Sequence, residues 1–311
     1  MSEPAASPTR TVPAEVAHAP IGAVRDAVRR ALGEDLEPLG DLSAMLLPGD
    51  VSTTAAFVSR ADGVLAGTRC VTETFTQLDG NVTVDWHVHD GDVIVEGQHL
   101  ADVTGPLVSI LSGERTALNF LGHLSGVASA TAALVGILER SGDDRLRLWD
   151  TRKTTPGLRA LEKAAVRAGG AQNHRGNLSE WVMLKDNHLA QVSITDAVPA
   201  AHRVWPGRLV HVECDRFDQL VTALDAGADA VLLDNMDPDQ VRRCVDEVDR
   251  RIPHGERGRP LIEVSGGIDA ATLASFAGCG ADRVSVGAIT NSAPVLDIGL
   301  DIDPTTDSGG H

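Results

Sequence analysis

The chain has 311 residues, 42% of them hydrophobic and 23% charged, a globular composition sufficient for one large domain or about two ordinary ones. A formal net charge of -17 argues against partnership with nucleic acid or an anionic membrane, because a phosphate-backbone binder carries a basic stripe. Cys70, Cys214, Cys244 and Cys279 are far apart with no CxxC pair, which disfavours a zinc ribbon or a disulfide framework and fits a reducing cytoplasm.

Residues 1–20, MSEPAASPTRTVPAEVAHAP, are rich in Pro, Ala and Ser without an apolar block; they read as a disordered lead-in, neither secretory signal nor membrane span. Residues 21–127 mix two periodicities. AVRDAVRRALGEDL predicts a helix, AAFVSRADGVLAG and VTVDWHVHDGDVIVEGQHLADVTG predict short strands between Gly and Asp turns, and ERTALNFLGHLSGVASATAALVGILER returns to helix. This is an N-terminal α+β domain, and the segment 290–311 is expected to rejoin it before fraying. Between 128 and 289 the pattern becomes βα repetition. Strands are predicted at 145–151, 181–186, 208–215, 229–235, 260–266 and 282–288, with amphipathic stretches PGLRALEKAAVRAGG, RFDQLVTALDAG, DPDQVRRCVDEVDRR and DAATLASFAGCG between several of them. A buried parallel sheet of this kind is an α/β barrel, whose active site forms at the carboxyl ends of the strands.

Those ends carry one functional group after another: Asp150 with Arg152, then Lys185, Glu213, Asp234, Ser265 and Ser285. The chain holds 27 basic residues but only three lysines, Lys153, Lys163 and Lys185, and two of these lie at the strand ends. A compact ammonium is retained where a point charge on a phosphate or hydroxyl is needed. DTRKTTPGLR brings Arg152 and Lys153 out of one strand, NHR adds His174 and Arg175, and KDNH adds Lys185; singly each has an ordinary surface role, but together they suggest a polyanion site on an acidic protein. Glu213 and Asp234, on neighbouring strands, suit a hydrated Mg²⁺ or ribose hydroxyls, with ion pairing to those cations as the plainer role. SGG (265–267) and SVG (285–287) close consecutive late strands with small residues, the usual phosphate cradle of such barrels. His87 and His89 alternate on one predicted strand and share a face, with no third metal ligand readable nearby. Gly122 and Gly126 follow no strand, so they are not a dinucleotide fingerprint.

DTRKTTPGLRALEKAAV, GGAQNHR, KDNH, VEC, LLDN, EVSGGI and SVGAIT, in this order, resemble the quinolinate phosphoribosyltransferase family, and DGDVIVEGQHL with ERTALNFLGHLSGVAS resembles its amino-terminal part. The resemblance spans about 25–292. It implies an open TIM-like α/β barrel with an N-terminal α+β sandwich-like domain. It also implies Mg²⁺ as cofactor and a cytoplasmic homodimer or homohexamer that takes quinolinate and phosphoribosyl pyrophosphate. In that family's pattern Arg115, Arg152, His174 and Arg175 hold the substrate carboxylates, with Arg115 acting in trans. Lys153 and Lys185 contact both substrates, Glu213 and Asp234 orient ribose or metal, and Ser265, Gly266, Gly267, Ser285, Val286 and Gly287 take the 5′-phosphate. Lys153, Lys185, Glu213 and Asp234 form the catalytic set. EDLEPLGDLSAMLLP, NHRGNLSEW and His211 depart from the family's pattern, the last where an acidic residue is frequent. Three other readings stand beside this one: a transferase for nicotinate or another pyridine base, a Schiff-base lyase using Lys185, and a silent binding protein.

Overall fold

The computed structural model describes residues 17–252, 254–255 and 258–302. The lead-in to residue 16 and the tail from 303 lie outside the described residues. The last four lead-in residues are ordered rather than disordered, since Ala17 and Ala19 are buried and the His18 ring contacts Asp90 at 3.0 Å.

The helices are α1 Ile21–Leu36, α2 Thr68–Leu78, α3 Leu107–Ser141, α4 Arg159–Ala168, α5 Asp186–Leu189, α6 Ile194–Val204, α7 Phe217–Asp225, α8 Pro238–Arg251 and α9 Ala288–Asn291. The strands are β1 Ser52–Ser59, β2 Gly63–Val64, β3 Thr83–Trp86, β4 Val93–Ile94, β5 His99–Pro106, β6 Arg147–Trp149, β7 Val182–Leu184, β8 Val210–Cys214, β9 Ala230–Asp234, β10 Leu261–Ser265, β11 Arg283–Ser285 and β12 Ile298–Ile302.

Contacts divide the chain into two compact units. One holds the described residues to 132 with 155–170 and those from 293 onward. Its sheet runs β12-β1-β5-β3, antiparallel in every pairing, so the last strand lies beside the first. One face is solvated, as the alternation along β1 and β5 requires, and the other buries Phe57, Leu100 and Val103 with Phe75 of α2 and Ile110 and Leu121 of α3. Helix α2, unread in the sequence, packs into this core through Val71 and Phe75. The long helix α3 has the length and hydropathy (1.6) of a membrane span, but over half of that stretch is buried, as in a core helix. Gly122 and Gly126 on α3 serve close packing: a Cβ at Gly126 would lie 2.0 Å from the Pro294 carbonyl oxygen, so glycine lets the segment before β12 lie against the helix.

The second unit comprises 133–154 and the described residues of 171–292. Its six strands form one sheet in the order β6-β11-β10-β9-β8-β7, and each pairing is parallel. Strands β8 and β9 are buried nearly throughout, the pattern of a parallel sheet covered on both faces. Edge strands β6 and β7 do not pair with each other, leaving the barrel open. Helix α8 starts where the sequence calls for it: Asp237 accepts from the Gln240 backbone N–H at 2.8 Å, Gln240 returns the bond at 2.9 Å, and Pro238 opens the first turn. DAATLASFAGCG, read as amphipathic helix, forms only the 3-10 turn Leu273–Phe276, because Asp269 and Thr272 divert its start into side-chain-capped turns.

Candidate active site

The carboxyl ends of the six parallel strands surround a cavity of about 540 Å³, within the ~300–1,000 Å³ usual for small-molecule sites. Its lining includes Arg152 and Lys153 after β6, His174 and Arg175, Lys185 after β7, Glu213 of β8, Asp234 of β9, Ser265 of β10 and Ser285 of β11. The strand-end residues singled out in the sequence thus converge, with one reassignment. Asp150 is fully buried and accepts bonds from the His174 backbone N–H at 2.7 Å and the Asn173 side chain at 2.8 Å, so it anchors the NHR loop.

The cations are held close. Arg175 is largely buried, donates to the Trp181 carbonyl at 3.1 Å, and keeps a buried Nε without a hydrogen-bond partner. Burial, then the charge of Arg152, pushes its pKa down, the signature of guanidiniums crowded where an anion would relieve them. Lys185 forms an ion pair with Glu213, whose side chain is only 9% exposed. Burial, then the charge of Glu213, raises the Asp234 carboxyl above the ordinary range, while Lys185 and Lys153 draw it down. Glu213 and Asp234 thus stand on neighbouring strands in one cavity, with Lys185 paired to the first and drawing down the second.

Glycines shape the rim beside Ser265 and Ser285. Gly266 has φ +99° and Gly267 φ +59°, and a Cβ on Gly266 would fall 2.3 Å from Asn235 Oδ1. A Cβ on Gly287 would meet the Lys153 side chain at 2.8 Å, so glycine there leaves the lysine its path, and Thr290 Oγ1 holds the Lys153 carbonyl at 2.7 Å. Val286 is buried, 3% exposed, and its backbone N–H donates to the Trp149 carbonyl at 3.0 Å. Arg115 is carried by α3 in the other unit, its side chain 68% exposed and 4.0 Å from Glu114.

Beneath the rim is a cluster that the sequence reading missed. Glu263, in the middle of β10, lies 2.9 Å from Arg283 Nε, 3.4 Å from His174 and 3.9 Å from His211, and all four side chains are at most 6% exposed. The Arg283 guanidinium lies 4.6 Å from the Trp149 ring centroid. Burial would raise the Glu263 carboxyl, but the neighbouring His174, His211 and Arg283 side chains hold it at about 2. Burial takes His211 down to about 3, so its ring is neutral. His174, His211 and Glu263 have the spacing of a metal triad, but Arg283 already supplies the cation. Glu263 and Arg283 were legible as charged residues inside otherwise apolar β-runs, IEV and RVSV.

"Quinolinate phosphoribosyl transferase, N-terminal domain" matches residues 41–125, and "Quinolinate phosphoribosyl transferase, C-terminal domain" matches 127–301. The chain belongs to the quinolinate phosphoribosyltransferase family.

It is 40% identical over 272 residues to the probable nicotinate-nucleotide pyrophosphorylase [carboxylating] of Bacillus subtilis, covering 86% of this chain and 90% of that one. Identity to the Mycobacterium leprae protein named nicotinate-nucleotide pyrophosphorylase [carboxylating] is 38% over 284 residues, 90% of this chain and 97% of the relative. The solved structure of the nicotinate-nucleotide pyrophosphorylase from Francisella tularensis superposes with a TM-score of 0.85 at 35% identity, over 93% of this chain and 99% of that one. The family's parallel-sheet fold is therefore the frame in which the strand-end residues of this chain are set.

Proposed function

We propose that the chain transfers phosphoribosyl from phosphoribosyl pyrophosphate to quinolinate with decarboxylation, giving nicotinate mononucleotide, pyrophosphate and carbon dioxide. The observation that carries this reading is the gathering of Arg152, Lys153, His174, Arg175 and Lys185 with Glu213 and Asp234 around one cavity. Both substrates are polyanions, and arginine forks match carboxylates in bidentate fashion. Arg152 and Arg175, with His174, hold the two quinolinate carboxylates. Lys153 and Lys185 take oxygens of phosphoribosyl pyrophosphate and meet the charge that develops as pyrophosphate leaves. Glu213 and Asp234 orient the ribose, while the backbone at 265–267 and 285–287 receives the 5′-phosphate. Once the ring nitrogen carries the ribose it is positive; as the adjacent carboxylate leaves as carbon dioxide, the electron pair of the broken C–C bond stays on the ring carbon, stabilised by that charge, and takes a proton from water. The pairing of Lys185 with Glu213 disfavours the Schiff-base reading, which needs a lysine desolvated as an amine.

Mg²⁺ fits the Glu213 and Asp234 pair, because the two carboxylates end neighbouring strands and line the same cavity, and oxygen donors suit that ion. When bound with substrate phosphates it neutralises the leaving group. The protein works in the cytoplasm as a homodimer or a homohexamer. Incubating it with quinolinate, phosphoribosyl pyrophosphate and Mg²⁺ should yield nicotinate mononucleotide, and excess chelator should abolish turnover. Turnover with nicotinate but not quinolinate would overturn the substrate assignment, and full activity in chelator would overturn the metal requirement.

The exposed Arg115 acts in the partner's site, a reading supported by its exposure and by the family pattern. In a two-fold dimer the exchange is mutual. Arg115→Ala and Lys185→Ala homodimers should each be nearly inactive, while remixing after dissociation should make about half the dimers mixed and restore about a quarter of all sites. Activity that stays at the single-mutant level, although mixed dimers form, would place Arg115 in its own chain's site or in none.

A further inference from the structure

The solvated face of the antiparallel sheet brings together His87, His99 and Asp102. His87 follows β3 and continues its ladder, donating its backbone N–H to the Leu100 carbonyl at 2.9 Å. His99 and Asp102 are three apart on β5, a spacing that in a regular strand would send their side chains to opposite faces. The strand is not regular there. Phe57 pairs with Ala101 and Val58 with His99, so Leu100 is an extra residue between them. Leu100 and Ala101 are consequently both fully buried, and the bulge turns His99 onto the face that carries Asp102. The third ligand that the sequence does not show for His87 is thus supplied by β5, whereas His89 turns away toward Asp92, 3.7 Å distant.

The outcome is a converging set of donors. His87 Nε2 lies 3.0 Å from Asp102 Oδ2, His99 Nε2 lies 3.0 Å from Asp102 Oδ1, and the candidate ligand atoms of all three residues lie within 4.8 Å of one another. The imidazole rings meet edge to face with centroids 4.8 Å apart. All three side chains are reachable from solvent, at 41%, 49% and 36% exposure. Asp85 pairs directly across from Asp102. Like charges so placed repel, which a bound cation would offset.

We propose that His87, His99 and Asp102 form a binding site for a divalent transition metal of the Zn²⁺ class, with water completing its shell. Two imidazoles and one carboxylate suit Zn²⁺, Cu²⁺ or Ni²⁺, not the all-oxygen shell of Mg²⁺, so the site differs in chemistry from the Glu213 and Asp234 pair. Closing the donors onto an ion with Zn–N near ~2.0–2.1 Å needs only modest side-chain rotation, since the ligands already face one another.

The test uses the full, untagged chain stripped with chelator. Co²⁺ is titrated by visible absorption, Zn²⁺ by calorimetry and by displacement of Co²⁺. One equivalent should bind with imidazole-ligated Co²⁺ bands that Zn²⁺ removes, and saturating Zn²⁺ should raise the Tm. His99→Ala and the isosteric Asp102→Asn should each weaken Zn²⁺ binding by at least tenfold, while His89→Ala should bind like the parent, all with unchanged far-ultraviolet circular dichroism. No stoichiometric binding, or equal binding by parent, His99→Ala and Asp102→Asn, would overturn the site and leave His87 and His99 as side-chain neighbours of Asp102 alone.

Discussion

Lys185→Ala should lower kcat/KM for quinolinate by about 10²–10³-fold, the usual effect of deleting one preorganised electrostatic contact at a reacting centre. The side chain ends on Glu213, and its charge is among those that draw down the raised Asp234 carboxyl. Without it, Asp234 should bind its proton still more tightly, so the acid limb of the pH–rate profile should move to higher pH. Lys185→Arg separates charge from shape. It keeps the positive charge and should leave the acid limb in place, yet a planar fork cannot occupy the spot of a compact ammonium, and roughly 2 kcal/mol of transition-state stabilisation, about 30-fold, should be lost. Steady-state kinetics from pH 5 to 9, with Tm as a check on folding, decide the matter. An arginine variant with parental kcat/KM would show that charge alone suffices, and an alanine variant with an unmoved acid limb would uncouple Lys185 from Asp234.

The strand-end residues were legible because a parallel sheet writes itself as short apolar runs and puts whatever follows each run on one rim. Lys185, Asp234, Ser265 and Ser285 needed no knowledge of which strand pairs with which. The two clusters that were missed depend on that knowledge. His87 shows no third ligand in the sequence because Asp102 reaches it through the β3–β5 register, and His99 joins only through a one-residue bulge that local patterning does not reveal. Glu263 and Arg283 meet because β10 and β11 are neighbours with Glu263 opposite Arg283. Read along the chain they are two isolated charges. Helix α2 was obscured because TRCVTETFTQL is rich in threonine and has weak helix propensity, so packing of Val71 and Phe75 decides its conformation.

The buried Glu263 should matter to the stability of the fold as much as any residue in the molecule. Glu263→Ala would leave the Arg283 guanidinium, 5% exposed, without its counter-charge, and removing one partner of a buried pair costs about 3–5 kcal/mol. Replacing both partners by apolar residues, as in Glu263→Met with Arg283→Met, should recover most of that loss, since the pair itself is repaid only in part for its desolvation. The cluster also fixes how stability responds to acid. Glu263 is held at about 2 in the fold against 4.5 for a free side chain, so its contribution is complete above pH ~4.5 and is lost as pH falls toward 2. His211, kept neutral by burial with its pKa near 3 against 6.5, acts in the same direction over a higher range: the unfolded chain takes up a proton that the fold refuses, and stability declines as pH drops below about 6.5. Urea unfolding of the parent should therefore show stability falling in two stages between pH 7 and 2. His211→Phe should remove the upper stage and Glu263→Gln the lower, the glutamine variant being less stable at pH 7 because Arg283 loses its counter-charge. A parent whose unfolding free energy is flat between pH 7 and 4 would mean that His211 takes up its proton as readily in the fold as in the unfolded chain, so that burial does not keep it neutral.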